Sequence, residues 1–384
     1  MKHFVRSVTL IFVLIILLIT TLEQGRAGWK AALFIPQVLP DIPFRPLEYV
    51  SKKPVRQEIQ FLTAHGVKTA DLYLPDDKGE YPAVIFFMGI VPPDRDEERV
   101  LMLAEGLART GMIVLIPWLE TQYSSRMVPQ DIESLVDAFL FLEKHPLVDP
   151  QRIGYGGICT GASMATIAAQ SPQINERVSF VNSFAGYYDA FDLVTAAMSE
   201  TRFSDQARLP WKPDNLTRKL IVTHLLEGLD GIDRSILERI QMEGSWDESQ
   251  YNRLTGHGQA VLTLISRPTY EEAVLSLQGL SARTRIFLEE VSPSTNISSL
   301  KASVLLMHDY HDKLVPSEES MRFAREVREL SGRVYHTEFQ LFQNAVQVHM
   351  DEESSMGIFG FTKEAFKLYR HMYRIMLLNS QIHK

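Results

Sequence analysis

The chain has 384 residues, of which 45% are hydrophobic and 22% charged, a composition typical of a folded protein and one that excludes general disorder. The formal net charge is −8 and no basic stripe is present, so nucleic acid is not an expected partner. Cys159 is the single cysteine, which excludes an intrachain disulfide.

The N-terminus carries a targeting pattern. Basic side chains precede an apolar run over residues 8–22, and Gly25 and Ala27 place small residues where a signal peptidase cuts. The pattern predicts that residues 1–27 are a cleaved signal peptide or a membrane anchor, because the run is slightly shorter than the roughly 20 residues that span a bilayer. Either alternative places the domain on the non-cytoplasmic side, membrane-anchored if uncleaved and secreted or periplasmic if cleaved.

The segment that follows has little periodicity. Repeated prolines in residues 28–54 predict an extended linker. Apolar and polar positions then alternate over residues 59–74 on both sides of Gly66, which predicts an antiparallel hairpin at the start of the folded domain near Val55.

Short apolar runs bounded by glycine and proline predict strands that are buried on both faces of a parallel sheet. They cover residues 83–87, 112–116, 153–158, 180–184 and 304–307, with a more alternating sixth run at 334–342. Amphipathic helical patterns alternate with them at residues 97–109, 132–140, 160–170 and 317–330. This order predicts an α/β fold with a doubly wound, mostly parallel sheet.

One connection is too long for this scheme. Residues 190–301 contain helical patterns at 232–240 and 270–277 and no convincing strand. Because so long a loop must carry structure of its own, we predict an inserted helical cap that divides the core into residues 55–189 and 302–384.

The lone cysteine lies in a G-x-C-x-G pattern, Gly157-Ile158-Cys159-Thr160-Gly161, between a predicted strand and a predicted helix. Such a turn requires small residues at Gly157 and Gly161, because the nucleophile adopts a strained backbone and its neighbours pass close together. We expect a helix N-terminus and a hydrogen-bonded histidine to lower the pKa of the thiol and so favour the nucleophilic thiolate.

This segment resembles the nucleophile elbow of the α/β-hydrolase superfamily, and its cysteine resembles that of the dienelactone hydrolase family. The similarity covers roughly residues 57–384 outside the cap. It implies the α/β-hydrolase fold, in which an acid and then a base follow the nucleophile in chain order. Residues 305–316 resemble the acid loop of the superfamily, which implies Asp312 as the acid, with Asp309 as the rival.

The loop after the last strand implies His349 as the base, since His336 and His371 fall within a predicted strand and a predicted helix. Two departures from the family occur there: Val348 replaces the usual small residue, and the acids at 351–353 could raise the pKa of His349.

The resemblance also implies an oxyanion hole formed by two backbone amides. One belongs to Thr160 and the other to Ile90, although Met88 precedes Gly89 where many relatives have histidine.

These residues predict a hydrolase of ester, lactone or thioester bonds that acts through a Cys-Asp-His triad and an acyl-enzyme on a small-molecule acyl substrate. No cofactor or metal is predicted. The alternatives are an acyltransferase with the same triad and a non-catalytic binding protein. Two further alternatives are a metal site at residues 308–312 and Ser163 as the nucleophile.

Overall fold

The structure is a computed structural model that describes residues 22–39, 42–76, 79–204, 207–340 and 358–380. The strands are β1 (Val55–Thr63), β2 (Gly66–Leu74), β3 (Tyr81–Phe87), β4 (Ile113–Trp118), β5 (Val148–Ile158), β6 (Val178–Phe184), β7 (Thr201–Ser204), β8 (Ala207–Pro210), β9 (Ser303–Asp309) and β10 (Val334–Phe339).

Helices alternate with the strands along the chain. They are α1 (Glu23–Val38), α2 (Leu47–Val50), α3 (Glu98–Arg109), α4 (Glu120–Tyr123), α5 (Pro129–Glu143), α6 (Thr160–Ala168), α7 (Ala190–Ser199), α8 (Asn215–Glu227), α9 (Gly231–Glu243), α10 (Glu248–Asn252), α11 (Gly256–Ile265), α12 (Tyr270–Gln278), α13 (Ala282–Glu290), α14 (Ser317–Glu329) and α15 (Ile358–Leu378).

The large sheet has eight strands in the order β1-β2-β4-β3-β5-β6-β9-β10. β2 pairs antiparallel with β1 and with β4, and the remaining neighbours are parallel. All residues of β4 and β9 are buried, as expected for strands covered by helices on both faces. The predicted α/β fold is confirmed, and the carboxyl ends of β3, β5 and β9 meet at one edge of the sheet.

The cap lies between β6 and β9 and has an apolar core of its own, built from α7 to α13. Its two ends are joined to each other: the Ser294 hydroxyl donates to Asp189 Oδ2 at 2.7 Å, and the Ala190 amide donates to the Ser292 hydroxyl at 2.8 Å. The cap also contains the short hairpin β7–β8, which the sequence did not predict. Strands of four residues are too short to show a clear alternation of apolar and polar positions.

The N-terminal region differs most from expectation. Residues 28–54, predicted to form an extended linker, contain part of α1 and the whole of α2. Ala27, Ala31 and Phe34 form a buried stripe on α1 at helical spacing, and α1 packs against α15 and α3. The partner helix α15 lies at the other end of the chain, so local periodicity did not reveal the packing.

The predicted membrane attachment is corrected. Within the described ranges, no helix combines the length and the apolarity that a membrane crossing requires. This finding contradicts the predicted transmembrane helix and the localisation that followed from it, and it gives no support to the membrane as a partner. Most of the apolar run, residues 8–21, lies outside the described residues.

Candidate active site

Cys159 occupies the sharp turn between β5 and α6. Its backbone has φ 52° and ψ −128°, a strained conformation for a residue with a side chain. The turn is held by the Cys159 amide, which donates to Phe184 O at 2.8 Å, and by the Ala162 amide, which donates to Cys159 O at 3.0 Å. The side chain is therefore presented at the sheet edge by a rigid backbone.

The two flanking glycines have a steric reason. A Cβ on Gly157 would lie 2.7 Å from the Ala162 amide nitrogen, and a Cβ on Gly161 would lie 2.3 Å from Phe87 O. Both contacts are with backbone atoms, which cannot move aside cheaply. A side chain at Gly157 would push the start of α6 away from β5, and one at Gly161 would push it away from the end of β3.

This is the α/β-hydrolase fold. The strand order, the antiparallel β2 and the strained residue between β5 and α6 together define it.

The predicted oxyanion loop follows β3 and lies against the elbow. Gly89 has φ 77° and Val91 has φ 55°, so Ile90 lies between two left-handed residues. The Ile90 amide donates to Thr160 Oγ1 at 3.0 Å. The Thr160 hydroxyl therefore already accepts the hydrogen bond from the Ile90 amide, which is one of the two predicted oxyanion donors.

Gln122 on α4 fixes this loop and was not singled out in the sequence. Its side chain is fully buried; Nε2 donates to Gly89 O at 2.7 Å and Oε1 accepts from the Leu119 amide at 2.7 Å. Its backbone carbonyl accepts from the Val91 amide at 3.0 Å. A lone glutamine after a strand carries no local signal of this role.

Asp312 lies in the loop after β9 and is almost fully buried. Its Oδ1 accepts from the amides of Leu314 at 2.7 Å and Val315 at 3.2 Å. Its Oδ2 is buried and has no hydrogen-bond partner in the described part of the chain. Burial raises the pKa of the carboxyl to about 7, and the two amide hydrogen bonds lower it only in part.

His308 is near Asp312 but is not its ion-pair partner. The Nε2 of His308 lies 3.7 Å from Asp312 Oδ2, yet it donates to Val315 O at 3.0 Å, while Nδ1 accepts from the Ser320 hydroxyl. Burial lowers the pKa of His308 to about 3, so the ring is neutral at neutral pH.

The cap holds the acid loop through three consecutive carbonyls. The Trp211 indole donates to Asp312 O at 3.0 Å, and the Asp214 amide donates to Lys313 O at 2.7 Å. The Thr217 hydroxyl donates to the next carbonyl, that of Leu314, at 2.9 Å. These cap residues were also missed, because nothing local marks a contact across roughly 100 residues.

The other candidate residues have separate places. Asp309 ends β9, and its Oδ1 accepts from the His311 amide at 2.9 Å. Ser163 lies within α6, buried, and its hydroxyl donates to Tyr187 O at 2.7 Å.

Of the three candidate histidines, His371 is buried on α15 and bonded to Thr337 and Asn182. His336 lies on β10. His349, Val348 and the acids at 351–353 lie outside the described residues.

The electrostatics of Cys159 differ from the expectation of a lowered thiol pKa. Burial, and then the charge of Asp312, raise the pKa of the thiol to about 12, while the hydrogen bond with the Thr160 backbone lowers it only in part. In the environment that the described residues provide, the thiol is therefore protonated at neutral pH. Thiolate formation requires a base or a cation in addition to the helix N-terminus.

Solved structures with a similar fold are distant in sequence. The uncomplexed acylaminoacyl peptidase of Pyrococcus horikoshii is 13% identical, covering 85% of this chain and 41% of that chain, with a TM-score of 0.49. The esterase of Pyrobaculum calidifontis is 13% identical, covering 93% and 91% of the two chains, with a TM-score of 0.48. Carboxyl esterase 2 of the fungus Tuber melanosporum is 16% identical, covering 85% and 88%, with a TM-score of 0.48.

No protein-family model and no curated protein matches the sequence. The chain spans about two fifths of the length of the acylaminoacyl peptidases it matches. Likeness at these identities concerns the fold alone, and at TM-scores this low the fold assignment depends on the strand order and the elbow. The dienelactone hydrolase-like subtype and the cysteine nucleophile remain predictions.

Proposed function

We propose that the chain is a dienelactone hydrolase-like hydrolase of carboxylic ester, lactone or thioester bonds, with Cys159 as its nucleophile. The observation that carries the proposal is the elbow: a strained, non-glycine residue with a nucleophilic side chain faces a cavity that Ile90 and Thr160 also line. A strained backbone at a thiol is costly for a residue that only fills space.

In the proposed reaction, His349 takes the thiol proton and the Cys159 sulfur attacks the acyl carbonyl carbon. The amides of Thr160 and Ile90 stabilise the oxyanion, for which the Thr160 hydroxyl must release the Ile90 amide. The bond to the leaving alcohol or thiol then breaks, and the leaving group takes the proton from His349. The acyl group is now bound to Cys159 as a thioester. Water, deprotonated by His349, hydrolyses this acyl-enzyme and restores the Cys159 thiol.

Asp312 is the proposed partner of His349. Its buried Oδ2, without a partner in the described residues, has the chemistry to accept the imidazole N–H and to stabilise the imidazolium. The charge of Asp312 also raises the pKa of the Cys159 thiol, an electrostatic interaction that supports assigning both residues to one site.

The test is hydrolysis of a panel of aryl esters and acyl thioesters by the full chain and by Cys159→Ala, His349→Ala and Asp312→Asn. We expect the first two variants to lose on the order of 1,000-fold or more in kcat and the third to lose less. Ser163→Ala is the matched control, because it removes the neighbouring buried hydroxyl and should retain activity.

Two results would replace the proposal. Acyl transfer to an added amine that exceeds hydrolysis would identify an acyltransferase with the same nucleophile. Activity that survives Cys159→Ala, or a wild type inert towards the whole panel, would contradict the proposed hydrolase.

A further inference from the structure

A cavity extends from Cys159 into the junction of core and cap. Its walls come from the oxyanion loop, the acid loop and cap helices α7, α8 and α13, and they are predominantly apolar. The cap side chains that form them include Leu193, Val194, Leu220, Ile221, Phe287 and Leu288.

The polar side chains in these walls are already engaged. The Tyr187 hydroxyl donates to Val291 O at 2.8 Å, and the Thr217 hydroxyl donates to Leu314 O at 2.9 Å. Neither hydroxyl has its proton free for a ligand.

His224 and Thr284 on the cap are engaged in the same way. The Nε2 of His224 accepts from the Met127 amide at 3.0 Å, and its Nδ1 donates to Leu220 O at 2.8 Å. The Thr284 hydroxyl lies 2.9 Å from the Ser281 hydroxyl. Both ring nitrogens of His224 are thus occupied by backbone groups of core and cap.

No aspartate, glutamate, lysine or arginine side chain lines this cavity within the described ranges. A ligand that carried a carboxylate or an ammonium group into it would lose its hydration and find no opposite charge, which is strongly unfavourable. An aliphatic or aromatic chain would instead exchange water contacts for apolar ones.

We propose that this cavity binds the acyl portion of the substrate, and that the acyl groups accepted are uncharged and apolar. The inference rests on the proposed function, because Cys159 must be the acyl acceptor. It narrows the substrate class to esters and thioesters of uncharged apolar carboxylic acids and excludes acids with a second charge along the chain.

The first test needs no catalysis. Cys159 is the single cysteine of the chain, so a maleimide labels one known thiol, and mass spectrometry measures its rate. N-hexylmaleimide and 6-maleimidohexanoate have the same reactive group and differ by a terminal carboxylate. We expect Cys159 in the full chain to prefer the neutral reagent by about 30-fold or more, after division by the ratio for free glutathione.

A charge introduced into the wall should reverse this preference. Leu220→Lys places an ammonium group in the cavity and should speed labelling by the carboxylate reagent relative to the neutral one. Leu275→Lys on exposed cap surface is the matched control and should leave the wild-type ratio unchanged. A wild-type ratio near one would overturn the proposal, whether or not the lysine variants fold.

The second test uses turnover of aryl hexanoate and monoaryl adipate by the wild type. A strong preference for hexanoate supports the proposal, and equal turnover of both esters overturns it while leaving the hydrolase intact. Labelling selectivity without turnover of any ester supports the apolar site and contradicts the proposed catalysis, so the two failures are distinguishable.

Discussion

In the surroundings that the structure describes, the Cys159 thiol is protonated and therefore a weak nucleophile. Burial and the carboxylate of Asp312 raise the pKa of its thiol to about 12, so a separate base must create the thiolate. Without His349, the Asp312 carboxylate should disfavour the thiolate by charge repulsion. With His349, it should favour the thiolate, because it stabilises the imidazolium that forms when His349 takes the thiol proton.

This reasoning predicts a reversal in a double-variant experiment. At a mildly alkaline pH, above the pKa of about 7 of Asp312, Asp312→Asn should slow iodoacetamide alkylation of Cys159 in the wild type. In the His349→Ala background it should speed alkylation, by up to about tenfold for each unit by which the thiol pKa falls. A change in the same direction in both backgrounds would argue against an Asp312–His349 pair.

The orientation of the Ile90 amide is set at the other end of its peptide unit. Gly89 O and the Ile90 N–H belong to one trans peptide and point in opposite directions, so the bond from Gln122 Nε2 to Gly89 O aims the N–H. We predict that Gln122→Met, which has no donor for this bond, lowers kcat by roughly 10- to 100-fold with little change in KM.

Gln170→Met is the matched control for this prediction. Gln170 is also buried, and its Nε2 donates to a carbonyl, that of Pro293, at 2.7 Å outside the cavity walls. We expect it to lower the melting temperature without selectively lowering kcat. Equal kinetic effects of the two variants would show that Gln122 acts through general stability.

At the scale of elements, the cap holds the loop that carries Asp312 as well as covering the cavity. Trp211, Asp214 and Thr217 bond three consecutive carbonyls of the loop that carries Asp312. Trp211→Phe removes the indole N–H that bonds to Asp312 O while keeping a smaller aromatic ring, and we predict a fall in kcat of roughly three- to tenfold.

Trp246→Phe on the half-exposed surface of the cap is the control and should be silent in a steady-state assay. If Trp211→Phe left kcat unchanged while the melting temperature fell, the cap would stabilise the acid loop without tuning it.

Helix α14 contacts the residues directly before the cap through Glu319. The Oε2 of Glu319 accepts from the amides of Tyr188 at 2.8 Å and Asp189 at 2.9 Å. Burial raises the pKa of Glu319 from 4.5 to about 8. The folded chain therefore binds this proton more tightly than the unfolded chain, and the associated stability is lost as pH rises from 4.5 to about 8.

Glu319→Gln should remove this contribution. We predict that thermal denaturation of the variant depends less on pH across that range than the wild type, with the variant gaining on the wild type towards alkaline pH. Glu329→Gln, at an exposed position of the same helix, should keep the wild-type pH dependence. A parallel pair of curves for Glu319→Gln and wild type would refute the assignment.

At the scale of the whole molecule, α1 belongs to the core. Phe34 on this helix is 2% exposed, whereas Trp29 on the same helix is 45% exposed. We predict that Phe34→Ala lowers the free energy of unfolding by about 3–5 kcal/mol and Trp29→Ala by less than about 1 kcal/mol. Chemical denaturation measures both, and similar small losses would mean that α1 is peripheral.

The strands of the large sheet, most core helices and the elbow were predictable because their signals are local. A buried parallel strand such as β9 is a short apolar run, and the G-x-C-x-G pattern needs only five adjacent residues and their flanks. The assignment of Asp312 as the acid likewise came from adjacent residues, and it stays a prediction.

What the sequence did not reveal depends on contacts between distant parts of the chain. Gln122 donates to Gly89 O, Trp211 donates to Asp312 O, and α1 packs against α15. No local sequence pattern indicates any of these contacts. The raised pKa of the Cys159 thiol has the same origin, since burial is a property of the assembled site.

The sequence by itself determined the α/β class, the place of the strained turn at Cys159 and the presence of an insertion, because hydrophobic period and glycine placement are local properties. The tertiary structure decided how the cap holds the acid loop, how the Ile90 amide is aimed and that the cavity walls are apolar. These features arise from side chains that are far apart in the chain and meet only when apolar surfaces are buried against each other.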